Sequence, residues 1–223
     1  MRLAVFASGG GSNFGAILDA VAAGRLPAEV VLLVADREGI GALARADAAG
    51  VSSIVLPPSA YPDATAFGEA LLAALDAHGA DFIALAGYLK KVPEAVVARF
   101  RHRMLNVHPA LLPAFGGHGL YGRRVHEAVL AYGAKVSGAT VHLVDAEYDT
   151  GPVVLQACVP VEDGDTPETL AARVLGQEHT LFPEALSLFA QGLVYVDGRV
   201  VRIRESGDLG IGESDGRNPA PTP

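Results

Sequence analysis

A single cysteine, Cys158, stands among 223 residues, so the chain cannot close a disulfide within itself. That fits a reducing compartment, and the apolar, strand-like setting of Cys158 reads as buried core packing. Long apolar runs are missing too. Uncharged stretches such as Phe82–Leu89 fall far below the roughly 18 residues of a membrane-spanning helix. After Arg2 a short apolar run gives way to glycines, without the apolar stretch of a signal peptide. A cytoplasmic protein with no membrane partner is expected. Basic residues are scarce: Lys+Arg total 17 against 25 Asp+Glu, a formal net charge of −8. The densest basic cluster is Arg99–Arg103, too short to track a nucleic acid, so no nucleic-acid partner is expected. Small anionic ligands are not excluded, because a local site can be positive inside an acidic protein. No H-E-x-x-H occurs, and His126-Glu127 and Glu178-His179 are isolated pairs. With one cysteine a structural zinc is not expected, and no metal site is assigned. What the chain does have is apolar bulk. At 50% hydrophobic and 19% charged residues it is not a disordered chain, and its length supports a full core without staples.

Short apolar runs alternate with helical stretches. Leu3–Ala7, Val30–Ala35, Ser53–Leu56 and Phe82–Ala86 are continuous and apolar, as strands covered on both faces should be. Between them lie helical patterns at Asn13–Ala23, Gly41–Ala49 and Ala64–His78. This alternation predicts an α/β fold with an open, mostly parallel twisted sheet and helices on both faces. Further strands are expected at Arg103–Val107, Ala139–Val144 and Val153–Val161, with a short helix at Val125–Tyr132. Thr166 followed by Pro167 marks a helix start, running to about Phe189 with a bend at Pro183. Leu193–Val196 and Arg199–Ile203 predict a C-terminal β-hairpin turning at Asp197-Gly198. One domain is expected over 1–203, with a flexible tail over 204–223, where Gly, Ser, Pro and Asp accumulate.

Three segments can carry chemistry. The first strand-to-helix turn, Ser8-Gly9-Gly10-Gly11-Ser12-Asn13, exposes backbone N–H groups at a helix N-terminus, a geometry that binds phosphate or carboxylate. It lacks the lysine of a Walker A loop. The dinucleotide G-x-G-x-x-G also fails, because Phe14 stands at its third glycine. Asp36 does sit where a ribose-binding acid would be, so a single phosphate fits better than a dinucleotide. The second segment is Asn106-Val107-His108-Pro109. Residues two apart on a strand share a face, and open α/β sheets place ligands at the C-terminal ends of their strands. An amide N–H donor beside an imidazole suits a developing oxyanion and a proton transfer. The third is the acidic loop Asp145–Pro152. One of its carboxylates can orient or charge-tune His108, but spacing does not choose among Asp145, Glu147 and Asp149. His142, on the preceding strand, faces either the same site or the core.

Taken together and in this order, Ser8–Asn13, Asn106-Val107-His108-Pro109 with Leu111-Leu112-Pro113, and Asp149-Thr150-Gly151-Pro152 resemble the phosphoribosylglycinamide formyltransferase family over Met1 to about Ile203. The resemblance implies a Rossmann-like formyltransferase fold and formyl transfer from 10-formyltetrahydrofolate, a cosubstrate, to the amine of 5′-phosphoribosylglycinamide in purine biosynthesis. It implies Asn106, His108 and Asp149 as catalytic residues. It implies Gly11, Ser12 and Asn13 for the phosphate and Glu178 for the ribose. For the folate it implies Leu89, Lys90, Lys91 and Val92 with Asn106 and the loop Asp145, Ala146, Glu147, Tyr148 and Asp149. In that mechanism Asn106 holds the oxyanion and His108 stabilises it or passes a proton. Asp149 is expected to raise the His108 pKa by its opposite charge. The partners implied are small molecules, with the chain a monomer or homodimer.

The chain departs from the family pattern in three places. Tyr61–Thr65 has no arginine where one is common. Lys90 stands where arginine is common. Phe115–Tyr121, with Gly116-Gly117-His118-Gly119, replaces the commoner Pro-Gly-x-His form. The first two bear on affinity for the anionic cosubstrate, not on the reaction. Methionyl-tRNA formyltransferases share the Asn, His and Asp but usually add a C-terminal RNA-binding domain. Formyltetrahydrofolate hydrolases usually add an N-terminal regulatory one. Neither addition is expected here, since the first strand begins at Leu3 and the chain ends about twenty residues after the hairpin. The hydrolase, and a nucleotide- or folate-binding module without catalysis, stand as the alternatives.

Overall fold

The computed structural model describes residues 1–204. Nine strands and six α-helices follow one another: β1 Arg2–Ala7, α1 Ser12–Ala22, β2 Glu29–Ala35, α2 Gly41–Ala48, β3 Ser53–Val55, α3 Ala64–Ala77, β4 Phe82–Leu85, α4 Glu94–Arg99, β5 Met104–His108, α5 Arg123–Tyr132, β6 Val136–Leu143, β7 Val153–Pro160, α6 Pro167–Ala190, β8 Val194–Asp197 and β9 Val200–Ile203. The first seven strands form one sheet in the order β3-β2-β1-β4-β5-β6-β7. The pairs among β1 to β5 are parallel, while β6 pairs antiparallel with both β5 and β7.

Alternation along the strands divides the core. In β1, Leu3, Val5 and Ala7 pack with α1, α5 and α6, through Phe14, Ile17, Val129 and Phe182. Ala4 and Phe6 point the other way, onto Phe67 and Leu71 of α3 and Val96 of α4. Helices therefore cover both faces, which is why the inner strands are apolar without interruption. The chain runs outward from β1 through β2 to β3, then returns to place β4 on the other side of β1. That reversal opens a crevice beyond the C-terminal ends of β1 and β4.

The structure corrects two expectations and adds one helix. Cys158 is exposed, not buried; β7 is the end strand of the sheet, and alternate residues on such a strand face outward. The hairpin pairs Asp197 with Val200, so its two-residue turn is Gly198-Arg199, with Gly198 at φ 57°. The short helix α4 escaped the sequence reading, because six residues give too little periodicity. The long helix α6 is capped by Thr166, whose side chain accepts from the Thr169 N–H, and continues through Pro183. The flexible-tail expectation falls almost wholly on 205–223, outside the described residues. No helix among the described residues is long and apolar enough to cross a membrane.

Candidate active site

Asn106 and His108 close the C-terminal end of β5 and share one face of it. Opposite them runs β6, whose antiparallel register sets His142 directly across from Asn106. The loop from β6 to β7 then brings in Asp149, whose backbone adopts a left-handed φ of 57°. His108 Nδ1 lies 3.5 Å from Asp149 Oδ2, and the Asn106 amide donates toward Asp149 Oδ1 at 3.5 Å.

The groups around this trio fix its orientation. His108 Nε2–H donates to the Phe115 carbonyl at 2.8 Å, which leaves Nδ1 as the free lone pair facing Asp149. Phe115 is itself left-handed, at φ 55°, unusual for a bulky residue. Two residues on, the Gly117 N–H donates to Asp149 Oδ2 at 2.9 Å. Gly116 packs closely against this site: an added Cβ would run into Leu112 Cδ2 and stand 3.2 Å from Asp149 Cβ. The segment Phe115–Gly117 thus clamps both His108 and Asp149. His142 Nδ1–H donates to the Leu143 carbonyl at 2.8 Å, so its Nε2 accepts from Asn106 Nδ2 at 3.0 Å. One Asn106 N–H is anchored there and the other stays on the Asp149 side. His142→Ala should release that amide and lower kcat about tenfold, the rate equivalent of one hydrogen bond of about 1.4 kcal/mol. Steady-state kinetics with both substrates saturating checks it.

The electrostatics set burial against the expected pull of Asp149. Burial lowers the His108 pKa, and the opposing pull of Asp149 and of the Phe115 carbonyl does not make up the difference. His108 is therefore neutral at rest, with Nδ1 ready to accept a proton. Burial pushes Asp149 upward, but the groups around it, among them the Gly117 N–H that donates to it, outweigh that and hold this carboxyl below its usual range. His126 and His179 are also lowered, each chiefly by burial. These three histidines bind protons less readily folded than unfolded. The stability they contribute is full above the ordinary histidine pKa of about 6.5 and is lost as pH falls below it. The melting temperature should therefore drop between about pH 7 and pH 5, with a shallower slope in His108→Gln. Asp149 acts in the same direction at lower pH.

A cavity of about 870 Å³ opens over this trio. Asn13, Leu89, Lys90, Lys91, Val92, Asn106, His108, Glu178 and the whole loop Asp145–Asp149 line it. At its α1–α6 side, Asn13 Nδ2 donates to Glu178 Oε2 at 2.6 Å. Burial raises the Glu178 pKa against that hydrogen bond. Gly11 and Ser12 do not line this cavity; Ser12 opens on a smaller hollow with Arg25, Arg45 and His179. Gly11 has φ 71°, and an added Cβ would sit 2.8 Å from the Ala42 Cβ, so the turn is held tightly against α2. No side chain caps α1, which leaves its first-turn amides to a ligand.

The acidic loop resolves by geometry. Asp145 Oδ1 is engaged by the Glu147 N–H and the Thr150 hydroxyl, and Glu147 faces Lys91 at 3.9 Å. Asp149 alone turns inward. Two wall residues escaped the sequence reading: His118, edge-on to Tyr148 at 5.7 Å, and His126, buried on α5 with an unpartnered Nδ1. His126 lies on the buried side of α5 with Val125 and Val129, and that apolar spacing is the signal that could have found it. Among the described residues no group of three His, Cys, Asp or Glu side chains is placed to hold a metal ion.

Comparison with known proteins follows the same lines. The formyl transferase family profile matches residues 1–186. A chloroplastic phosphoribosylglycinamide formyltransferase from Arabidopsis thaliana is 46% identical over 191 residues, covering 85% of this chain and 65% of the relative. The chain thus spans just under two thirds of that relative's length. The phosphoribosylglycinamide formyltransferase of Mycobacterium tuberculosis is 42% identical over 210 residues, 94% of each chain. The crystal structure of glycinamide ribonucleotide transformylase 1 from Symbiobacterium toebii superposes with a TM-score of 0.87 at 45% identity, covering 92% of this chain and 94% of that one.

Proposed function

The chain belongs to the formyl transferase family, and from that premise we propose that it transfers the formyl group of 10-formyltetrahydrofolate to the amine of 5′-phosphoribosylglycinamide, a step of purine biosynthesis. Residues 1–203 act as one domain in this reading, and the partners are small molecules. The observation that carries it is the convergence of Asn106, His108 and Asp149 on one cavity wall, with Asn13 and Glu178 on another.

The roles follow from which atoms are free. The open amides of α1 at Ser12 and Asn13 take the substrate phosphate, and Glu178 takes a ribose hydroxyl. The segment Leu89–Val92 and the loop Asp145–Asp149 enclose the folate. The substrate amine then attacks the formyl carbon, and a C–N bond forms. His108 Nδ1, neutral at rest, receives the amine proton, and the new imidazolium lies beside the Asp149 carboxylate. The Asn106 N–H on the Asp149 side donates to the oxyanion. Collapse breaks the bond from the formyl carbon to the folate nitrogen, which takes up the proton from His108. Charge appears only where a matching group already stands, and that preorganisation lowers the barrier.

An absorbance assay with 10-formyl-5,8-dideazafolate tests the reading. Deformylation that requires the ribonucleotide supports it. Equal deformylation without the ribonucleotide makes the protein a hydrolase, and none in either case leaves a binding module.

A further inference from the structure

Asp36 follows β2 directly with its side chain 1% exposed, yet the site described above does not use it. A ribose-binding role is closed to it. Arg37 Nε covers Oδ1 at 3.1 Å, and Lys90 Nζ lies 3.9 Å from Oδ2. Oδ2 is enclosed without a hydrogen-bond partner, and so is the Tyr88 hydroxyl. Burial and then the Asp36 charge push the Tyr88 phenol pKa upward, which puts the two groups in one electrostatic neighbourhood.

The contacts continue from Asp36 to the cavity. Arg37, tied to Asp36, donates from Nη2 to the Ser8 carbonyl at 3.0 Å. Ser8 in turn accepts the Leu89 N–H on its hydroxyl at 2.9 Å and donates its own N–H to the Gly87 carbonyl at 3.2 Å. Gly87, at φ 75°, is where the chain leaves β4 and turns into the segment that lines the cavity. Tyr88 is pinned edge-on to Phe6 with ring centroids 5.3 Å apart. The backbone of that segment is thus held through Ser8 and Arg37, and its first cation faces the Asp36 carboxylate.

We infer that Asp36 is a positioning residue for the formyl-folate pocket: through Arg37 and Ser8 it fixes the main chain at Leu89, and through Lys90 it holds the ammonium group against the crevice. The inference rests on the function proposed above. Arg37 and Lys90 both face the one buried carboxylate, so the arrangement is mutual. The amide of an asparagine keeps the shape and loses the hold on both cations.

Steady-state kinetics with each substrate varied separately tests this in Asp36→Asn, Lys90→Met, the double variant of these two and Arg37→Met. Asp36→Asn should raise KM for the formyl-folate about tenfold while KM for the ribonucleotide moves less than about twofold. The double variant should raise it no further than the larger single effect, because both changes break one contact. Arg37→Met, at a side chain 54% exposed and away from the cavity lining, carries the test if Asp36→Asn does not fold: a selective rise in folate KM supports the inference. A folate KM within about twofold of wild type in the variants overturns it. So does an equal rise in both KM values with a lowered melting temperature, which marks a role in folding alone, or additive effects in the double variant. A wild-type protein that never deformylates the folate overturns the function proposed above, and this inference with it.

Discussion

His108→Ala should lower kcat by about 10²–10⁴-fold, the range for loss of a positioned proton-transfer group, while binding of a non-reactive folate analogue changes less than about tenfold. The split follows from the geometry. His108 Nε2 is committed to the Phe115 carbonyl and Nδ1 to the space beside Asp149, so the ring is fixed for proton transfer and encloses little of the pocket. Asn106→Ala should cost about 10²–10³-fold, as for an oxyanion donor in an enclosed site. The double variant should cost little more than the larger single loss, because the two act in one step. Equilibrium binding and single-turnover rates, measured on the same preparations, separate the two effects. A variant that lost binding and turnover in equal measure would assign His108 to the pocket wall.

Gly151→Ala should be the most destabilising single-methyl change in the loop that delivers Asp149. A Cβ at 151 would overlap the Leu143 carbonyl oxygen and lie 2.7 Å from its carbon. These are backbone atoms of the strand that also carries His142, so no side chain can yield; the loop must lift. The cost should be about 3 kcal/mol or more, which for a chain of this size lowers the melting temperature by roughly 6–12 °C. Turnover should fall further than stability does, because lifting the loop withdraws Asp149 from His108. Calorimetry and kcat on the folded fraction check the two halves independently.

The same loop shows what was legible in the sequence. Apolar runs announced the inner strands because burial on both faces leaves no room for polar residues, and β1, β2 and β4 fall within a residue of their expected bounds. Asn106 and His108 were legible as a pair because strand geometry alone sets residues two apart on one face. Asp149 was not legible by spacing. Its choice over Asp145 and Glu147 depends on a left-handed turn and on the Gly117 N–H, both products of tertiary contact. The His108 shift divides in the same way: the upward pull of Asp149 is legible from a motif, and the burial that outweighs it is not. The exposure of Cys158 is not legible either, because an apolar run does not reveal which strand lies at the end of the sheet. Asp36 was noticed for its place after β2, and only the neighbouring Lys90 and Arg37 give that place a meaning.

The most direct test of formyl transfer follows the carbon itself. Folate cosubstrate carrying a ¹³C-formyl group would be incubated with the ribonucleotide and the protein, and the products read by NMR. The label should appear as an amide on the glycinamide nitrogen, one label for each folate released. Label recovered as free formate, with the ribonucleotide amine unmodified, would contradict the account.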